Sequence, residues 1–235
     1  MPIGPTTWTV QKNRPIEKLG SNLWRVSGLL GPKGPQRSMS VARRADGDLI
    51  IYNAIALDEP GMAELEAFGR PAYMVIPNAF HRADAFIWRQ RYPDIKVVAP
   101  AGAAKAAAKA VPVDMGPGDV PADPDIWLGC PDGFAEKEAL MVVNSADGRT
   151  VVANDALCDI PAERGFPVSV MMAPIGRLST PRVIRWFLMK DGAAWASHID
   201  RLTEGLTRLV PGHGDILEGE RAVESLKGAA ALLRA

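Results

Sequence analysis

Residues 72–84 read AYMVIPNAFHRAD, and this stretch decides how the rest of the sequence is interpreted. Its first half is apolar, contains an aromatic and β-branched residues, and is closed by a proline, which is typical of a buried strand. Four polar side chains follow that strand, namely Asn78, His81, Arg82 and Asp84. Because α/β folds place their sites at the carboxyl ends of strands, the stretch predicts a functional site. The alternative is that Arg82 and Asp84 only begin a helix while His81 fills a pocket.

The composition indicates a folded protein without an electrostatic preference for polyanions. The chain has 235 residues, 47% of them hydrophobic, which is enough to bury a sizeable core. Lys+Arg and Asp+Glu both number 27, so we expect neither nucleic acid nor a membrane surface as partner. No stretch approaches the roughly 20 apolar residues of a membrane helix. The N-terminus is also too polar for a secretory signal, and we therefore predict a cytoplasmic protein.

The order of the predicted elements indicates helices packed on sheets. Residues 1–20 lack periodicity and are interpreted as an extended N-terminal arm. Apolar and alternating runs predict strands at 22–26, 38–43, 49–52, 73–76, 95–99, 125–128, 139–143, 150–153 and 209–210. Helical spacing and capping residues predict helices at 58–68, 83–91, 103–110, 180–190, 193–206 and 218–234. No linker is long enough to separate two domains, so we predict one domain over 1–235.

Two more strands end in polar turns. Asp155 directly follows the strand at 150–153, where its carboxylate is either a metal ligand or the cap of a turn. The second turn, 211–215, reads PGHGD. Glycines on both sides of His213 remove steric bulk and permit positive φ, so the imidazole can be presented to a cleft.

At these residues the sequence resembles the metallo-β-lactamase-like hydrolase superfamily. The resemblance covers the early meander, the strand ending at Asn78, the strand closing on Asn154-Asp155 where the family has Gly-Asp, and the LVPGHG run at 209–214. It implies an α/β (α+β) fold, a four-layer αββα sandwich, with a metal site at the sheet edges. It also implies that Asp155 is the bridging ligand and His213 a terminal ligand, in a site that activates water for hydrolysis or holds iron for redox chemistry.

The chain departs from the family's His-x-His-x-Asp-His motif. Aligned from the strand without a gap, Asn78 and Phe80 replace the first two histidines and Arg82 replaces the aspartate, whereas a shifted alignment would use His81 and Asp84. The family's middle histidine is also missing from residues 131–136, and the chain has three histidines in all. A site with five histidines is therefore excluded, and we predict a divergent member with a degenerate motif and at most one metal.

Two functions remain open at this point. In the first, one zinc, iron or manganese ion is held by His81, Asp84, Asp155 and His213, and the protein hydrolyses an ester, thioester or phosphoester. Asp84 and Arg82 are the candidate catalytic residues, with Arg82 stabilising negative charge. In the second, the fold has lost its metals and binds an anionic small molecule or a protein partner, with Arg82 supplying the positive charge.

Other candidates are weaker. His198 on a predicted helix could also stabilise charge, but a packing histidine is the expected role. Glu136 and Glu138 flank the position of the missing histidine and could replace it, although charged residues before a strand are usually solvated. Four tryptophans lie in apolar periodicity and are expected in the core: Trp88, Trp127, Trp186 and Trp195. Specificity is expected to lie in the loops 29–37, 111–124 and 159–178.

Overall fold

The computed structural model describes residues 4–29, 36–163 and 165–234. The expectations for the arm 1–20 and for the loops 29–37 and 159–178 therefore lie partly outside the described residues. Within these ranges the strands form two large sheets and one short two-stranded ribbon.

The first sheet contains the early meander and the two parallel strands that follow it. In sheet order its strands are β1 (Glu17–Lys18), β2 (Leu23–Leu29), β3 (Gln36–Arg43), β4 (Asp48–Tyr52), β5 (Arg70–Val75) and β6 (Lys96–Val98). The hairpin between β3 and β4 turns at Gly47, whose φ of 87° suits glycine. Beyond β4 the pairing becomes parallel, because helices form the crossovers to β5 and β6.

The second sheet contains the strands that precede Asp155 and His213. Its order is β13 (Leu217–Glu218), β12 (Leu206–Val210), β9 (Gly148–Val152), β8 (Leu140–Ser145) and β7 (Ile126–Gly129). Strands β9 and β12 are parallel neighbours, with Val151 opposite Leu209. Their carboxyl ends therefore lie side by side at one edge of the sandwich.

Helices cover both outer faces of the two sheets. Their bounds are α1 (Glu59–Phe68), α2 (Ala85–Arg91), α3 (Ala101–Ala107), α4 (Val168–Met171), α5 (Arg182–Phe187), α6 (Gly192–Leu202) and α7 (Gly219–Arg234). Helix α1 begins as the sequence predicts, since the Asp58 carboxylate accepts a hydrogen bond from the Gly61 N–H at 3.0 Å.

The packing of the apolar side chains shows four layers. One cluster lies between α1, α2 and the first sheet, with Trp88 fully buried, and another lies between α6, α7 and the second sheet, around Trp195. A third cluster lies between the sheets and includes Ile50 and Val75 from the first and Met141 from the second. The predicted αββα sandwich is therefore confirmed.

The predicted loop at 159–178 contains short elements that the sequence analysis did not identify. Strand β10 (Cys158–Asp159) pairs with β11 (Leu178–Ser179), and α4 lies between them. Two-residue strands and a single helical turn are too short to show periodicity in a sequence. None of the helices in the described ranges is long and apolar enough to cross a lipid bilayer.

Candidate metal centre

Three polar side chains meet at one edge of the sandwich, where three strands end. His81 follows β5 in the first sheet, whereas Asp155 follows β9 and His213 follows β12 in the second. The two sheets touch at this edge, because the Ala139 N–H donates to the Pro77 carbonyl at 2.8 Å. This contact brings the turn after β5 against the ends of the second sheet.

The side chains of these residues converge on one carboxylate oxygen. Asp155 Oδ1 lies 3.0 Å from His81 Nε2 and 3.3 Å from His213 Nε2. One possible ligand atom from each residue lies within 4.8 Å of the others. Ligand atoms that each lie about 2.0–2.2 Å from a shared metal ion are separated from one another by distances similar to these. This His-Asp-His group can therefore bind one metal ion.

The two glycines around His213 have different structural roles. Gly214 has a φ of 112°, a conformation that other residues rarely adopt. At Gly212 the reason is space, since a Cβ there would lie 2.4 Å from the backbone of Asn154. The turn therefore packs directly on the chain that presents Asp155. Arg25, which is buried, also donates to the Gly214 carbonyl at 3.0 Å and holds the turn in place.

The backbone of Gln36 fixes the orientation of the His213 ring. His213 Nδ1 lies 2.5 Å from the Gln36 carbonyl oxygen, and a carbonyl can only accept, so Nδ1 carries the hydrogen. Nε2 is then directed toward Asp155. Histidine ligands of metals are commonly held in this way, with the second ring nitrogen donating to a carbonyl.

The electrostatics of the group stabilise a negative charge on Asp155 and a positive charge on His213. Burial by itself would raise the pKa of Asp155, but the nearby His81 and His213 imidazoles outweigh it and lower that pKa. Burial likewise would lower the pKa of His213, yet the hydrogen bond to Asp155 and its charge raise it overall. A cation at His213 Nε2 is therefore favoured, whether it is a proton or a metal ion.

Asn78 and Glu138 form a buried polar layer beneath Asp155. Asn78 Nδ2 donates to Glu138 Oε2 at 2.8 Å and to Asp155 Oδ2 at 2.9 Å, and all three side chains are buried. Asn78 thus hydrogen-bonds to Oδ2 of Asp155, and the other carboxylate oxygen of Asp155, Oδ1, faces the two histidines. Burial, and secondarily the charge of Asp155, raises the pKa of Glu138 well above its usual value.

Glu138 is the residue beside the candidate centre that the sequence analysis undervalued. A charged residue before a strand was expected to be solvated, and this is true of Glu136, which is exposed. Glu138 is instead fully buried, because its backbone bridges Asn78 where the two sheets meet. The signal in the sequence was its position, directly before an apolar strand and at the place of the missing histidine.

The structure does not bring Asp84 into the metal-binding group, which corrects the predicted four-ligand set. The Asp84 carboxylate pairs with Arg37 at 2.7 Å and accepts the Ala56 N–H at 3.0 Å. Both members of this ion pair are buried. Asp84 therefore holds the segment before α1 and strand β3 together through its Oδ2, which accepts both contacts.

Among the described residues, neither Arg82 nor His198 has a hydrogen bond to His81, Asp155 or His213. Arg82 lines a crevice beside Asp84 that is too small to admit a water molecule, and its Nε has no partner among the described residues. His198 lies on α6, where its Nδ1 accepts the Asp132 N–H at 3.3 Å and its ring packs near Trp195. This environment is the packing role expected for His198.

Comparison with solved structures identifies the architecture. The chain superposes on the metallo-β-lactamase DIM-1 with a TM-score of 0.63 and 14% identity, over 95% of this chain and 99% of the other. The metallo-β-lactamase FIM-1 from Pseudomonas aeruginosa, in its mono-zinc form, superposes with a TM-score of 0.61 and 13% identity, over 94% of this chain and 97% of the other.

This chain has the metallo-β-lactamase fold. A third structure, of TMB-1, agrees with a TM-score of 0.60 and 13% identity over 96% and 100% of the two chains. No family model and no curated protein matches the sequence. The low identities fit a divergent member of this fold, and the predicted resemblance is confirmed at the level of the fold.

Of the residues named in the two alignments of the degenerate motif, His81 alone belongs to the His-Asp-His group. Asn78 is directed into the buried layer with Glu138, and Phe80 is 55% exposed. His81, the histidine reached by the shifted alignment, is the one that meets Asp155 and His213. The group thus contains three of the four predicted ligands.

Proposed function

We propose that this protein is a hydrolase that binds one divalent metal ion through His81, Asp155 and His213 and cleaves an ester, thioester or phosphoester. The metal would be zinc, iron or manganese, since two imidazoles and one carboxylate suit all three. The fold and the His-Asp-His group support the proposal.

The contact between His213 and Asp155 is the observation that carries the proposal. With hydrogen on Nδ1, a neutral His213 has a lone pair at Nε2, and that lone pair faces Asp155 Oδ1 at 3.3 Å. Two lone pairs repel each other unless a cation lies between them. A metal ion in that position would also contact His81 Nε2, which is 3.0 Å from the same oxygen.

The chain itself supplies orientation and partial access. Gln36 and Asn78 each fix one ligand, so little reorganisation is needed on binding. The side chains of His81 and His213 remain 13% and 14% exposed. Catalytic sites typically combine three protein ligands with a free position, and a divalent metal there supplies Lewis acidity and lowers the pKa of a water molecule.

The second candidate is a metal-free binding protein, and the same distances favour it in one respect. Separations of 3.0 and 3.3 Å suit N–H···O bonds from Nε2 of the two imidazoles to Asp155. The ligand in this case would be an anionic small molecule or a protein partner.

Metal titration of chelator-treated protein tests the proposal. We expect one equivalent of Zn²⁺, Mn²⁺ or anaerobic Fe²⁺ to bind by calorimetry, and His213→Ala and Asp155→Ala to abolish binding. His198→Gln is the matched control, since it changes a buried histidine outside the group and should retain one equivalent. The loaded wild type should hydrolyse members of an ester, thioester and phosphoester panel.

Two results would contradict this function. Absence of metal binding by the wild type would exclude the hydrolase and leave the binding protein. Binding of two equivalents, both lost in Asp155→Ala, would show that the ligand set has been misidentified.

A further inference from the structure

A large groove adjoins the candidate metal centre, because His213 is one of its lining residues. It has a volume of about 520 Å³, within the range of sites that bind small organic molecules. His213, Gly214 and Asp215 line one part of it. Another wall comes from the segment between β10 and β11, which was expected from the sequence to determine specificity.

The described wall formed by that segment is largely apolar. The apolar lining residues are Ile160, Pro161, Val168, Met171 and Met172. Val168 and Met171 are 40% and 49% exposed, and α4 has no buried residue. Apolar side chains left exposed around a concave surface mark binding grooves. Methionines also adapt their shape to different apolar ligands.

The charges of the groove argue against an anionic occupant. Among its described lining residues the ionisable side chains are Asp159, His213 and Asp215, with no lysine or arginine. A carboxylate or phosphate in the groove would thus meet two acidic groups, and His213 is the one described lining residue that can carry a positive charge. Gln36, also a lining residue, is uncharged.

We propose that this groove binds the uncharged aliphatic acyl chain of the substrate, so that the protein acts on acyl esters or thioesters. The proposal rests on the proposed hydrolase function and narrows it, since it disfavours phosphoesters. Hydrolysis adds one water across the acyl–oxygen or acyl–sulfur bond and releases a carboxylic acid and an alcohol or thiol. The carbonyl would lie at the His213 end of the groove and the chain along Val168 and Met171.

Binding of a neutral amide tests the groove independently of catalysis. We expect octanamide, but not acetamide, to raise the melting temperature of the wild-type protein. Met171→Asp should remove this shift by placing a charge in the groove. Val170→Asp is the matched control, because Val170 is on the same helix and is 47% exposed but does not line the groove. Val168→Asp serves as a second groove variant.

The corresponding kinetic test uses metal-loaded protein and p-nitrophenyl esters from acetate to octanoate. The value of kcat/KM should rise by about threefold to fourfold per buried methylene, and Met171→Asp should flatten this dependence without changing metal content. No shift with octanamide in the wild type, or equal shifts in Met171→Asp and Val170→Asp, would overturn the acyl groove. Octanamide binding without hydrolysis of any ester would instead overturn the hydrolase and leave a binding groove.

Discussion

Glu138 and Asp155 are two carboxyl groups in one buried network, and their surroundings favour opposite protonation states. Asp155 faces two imidazoles, which lower its pKa against the effect of burial. Glu138 has no such cation and lies beside the Asp155 charge, so burial and that charge raise its pKa. At neutral pH the pair is therefore expected to carry one negative charge, placed on the oxygen that faces the histidines.

Replacing Glu138 by glutamine should show this difference as a pH dependence of stability. The unfolded chain releases the Glu138 proton above about pH 4.3, whereas the folded chain retains it to higher pH, so wild-type stability falls as pH rises through this window. The Glu138→Gln variant has no carboxyl group at this position and therefore no proton to release. Its free energy of unfolding relative to wild type should therefore increase with pH, by at most about 1.4 kcal/mol per pH unit.

Urea unfolding of metal-free proteins at several pH values between 5 and 8 measures this effect. Glu136→Gln is the control, because Glu136 is exposed and its difference from wild type should not change with pH. A constant difference for Glu138→Gln would mean that Glu138 is ionised in the folded protein.

At the residue scale, the sequence indicated which residues meet in the His-Asp-His group better than how their side chains are supported. Asp155 and His213 could be found because each stands at the end of a strand in a turn of recognisable composition. The exclusion of Asp84 could not be predicted, because its partner Arg37 is distant in sequence and meets it only in the folded chain. A carboxylate three residues from a histidine looks the same in sequence whether it binds a metal or an arginine.

The turn at 211–214 is the element on which the site depends most directly. Its backbone contacts the chain before Asp155 and is held from the other sheet by Arg25. Its conformation thus sets the distance between His213 and Asp155. A change in the turn that leaves every ligand in place should still alter the site.

Gly212→Ala provides that change. The added methyl would lie 2.4 Å from the Asn154 backbone, so the turn must move away from Asp155. We expect a large loss of metal affinity, of the order of 10- to 100-fold, as seen when supports of metal ligands are altered. Stability should fall as well, by about 1–3 kcal/mol for an overpacked site.

Gly228→Ala is the matched substitution. Gly228 is on α7 and has nothing within 4 Å of the added methyl. It should retain wild-type metal affinity and gain up to about 1 kcal/mol of stability, since alanine favours helices. Calorimetry and urea unfolding of both variants make the comparison. Equal metal affinities for the two variants would show that the turn does not position His213.

Elements with strong periodicity were predicted well, and short or exposed elements were not. Trp88 and Trp195 are fully buried as expected, but Trp127 and Trp186 are 45% and 71% exposed, so the prediction was wrong for these two. Apolar periodicity indicates which face of an element is inward only when the element packs along its whole length. Helix α5 is six residues long and buries Ile184 only, so its periodicity carried little information.

At the scale of the whole molecule, the candidate metal centre joins the two halves of the sandwich. His81 belongs to the first sheet, and Asp155 and His213 belong to the second. A metal ion that binds all three would hold the sheets together and would bind the folded chain far better than the unfolded one. The stability of the entire protein should then depend on metal concentration.

Thermal unfolding with and without metal measures this dependence. At a free Zn²⁺ concentration of about 100 times Kd, the folded state gains about 2.7 kcal/mol, which for a chain of this size corresponds to a rise in Tm of about 5–10 °C. His81→Ala should lose most of the rise, because it removes the ligand from the first sheet while the Asp155–His213 pair remains. Arg82→Ala should keep it, because it leaves the three residues of the His81–Asp155–His213 group in place. If phosphate instead raised the Tm of the wild type and Arg82→Ala lost that rise, while Zn²⁺ had no effect, the metal-free binding protein would be the correct function.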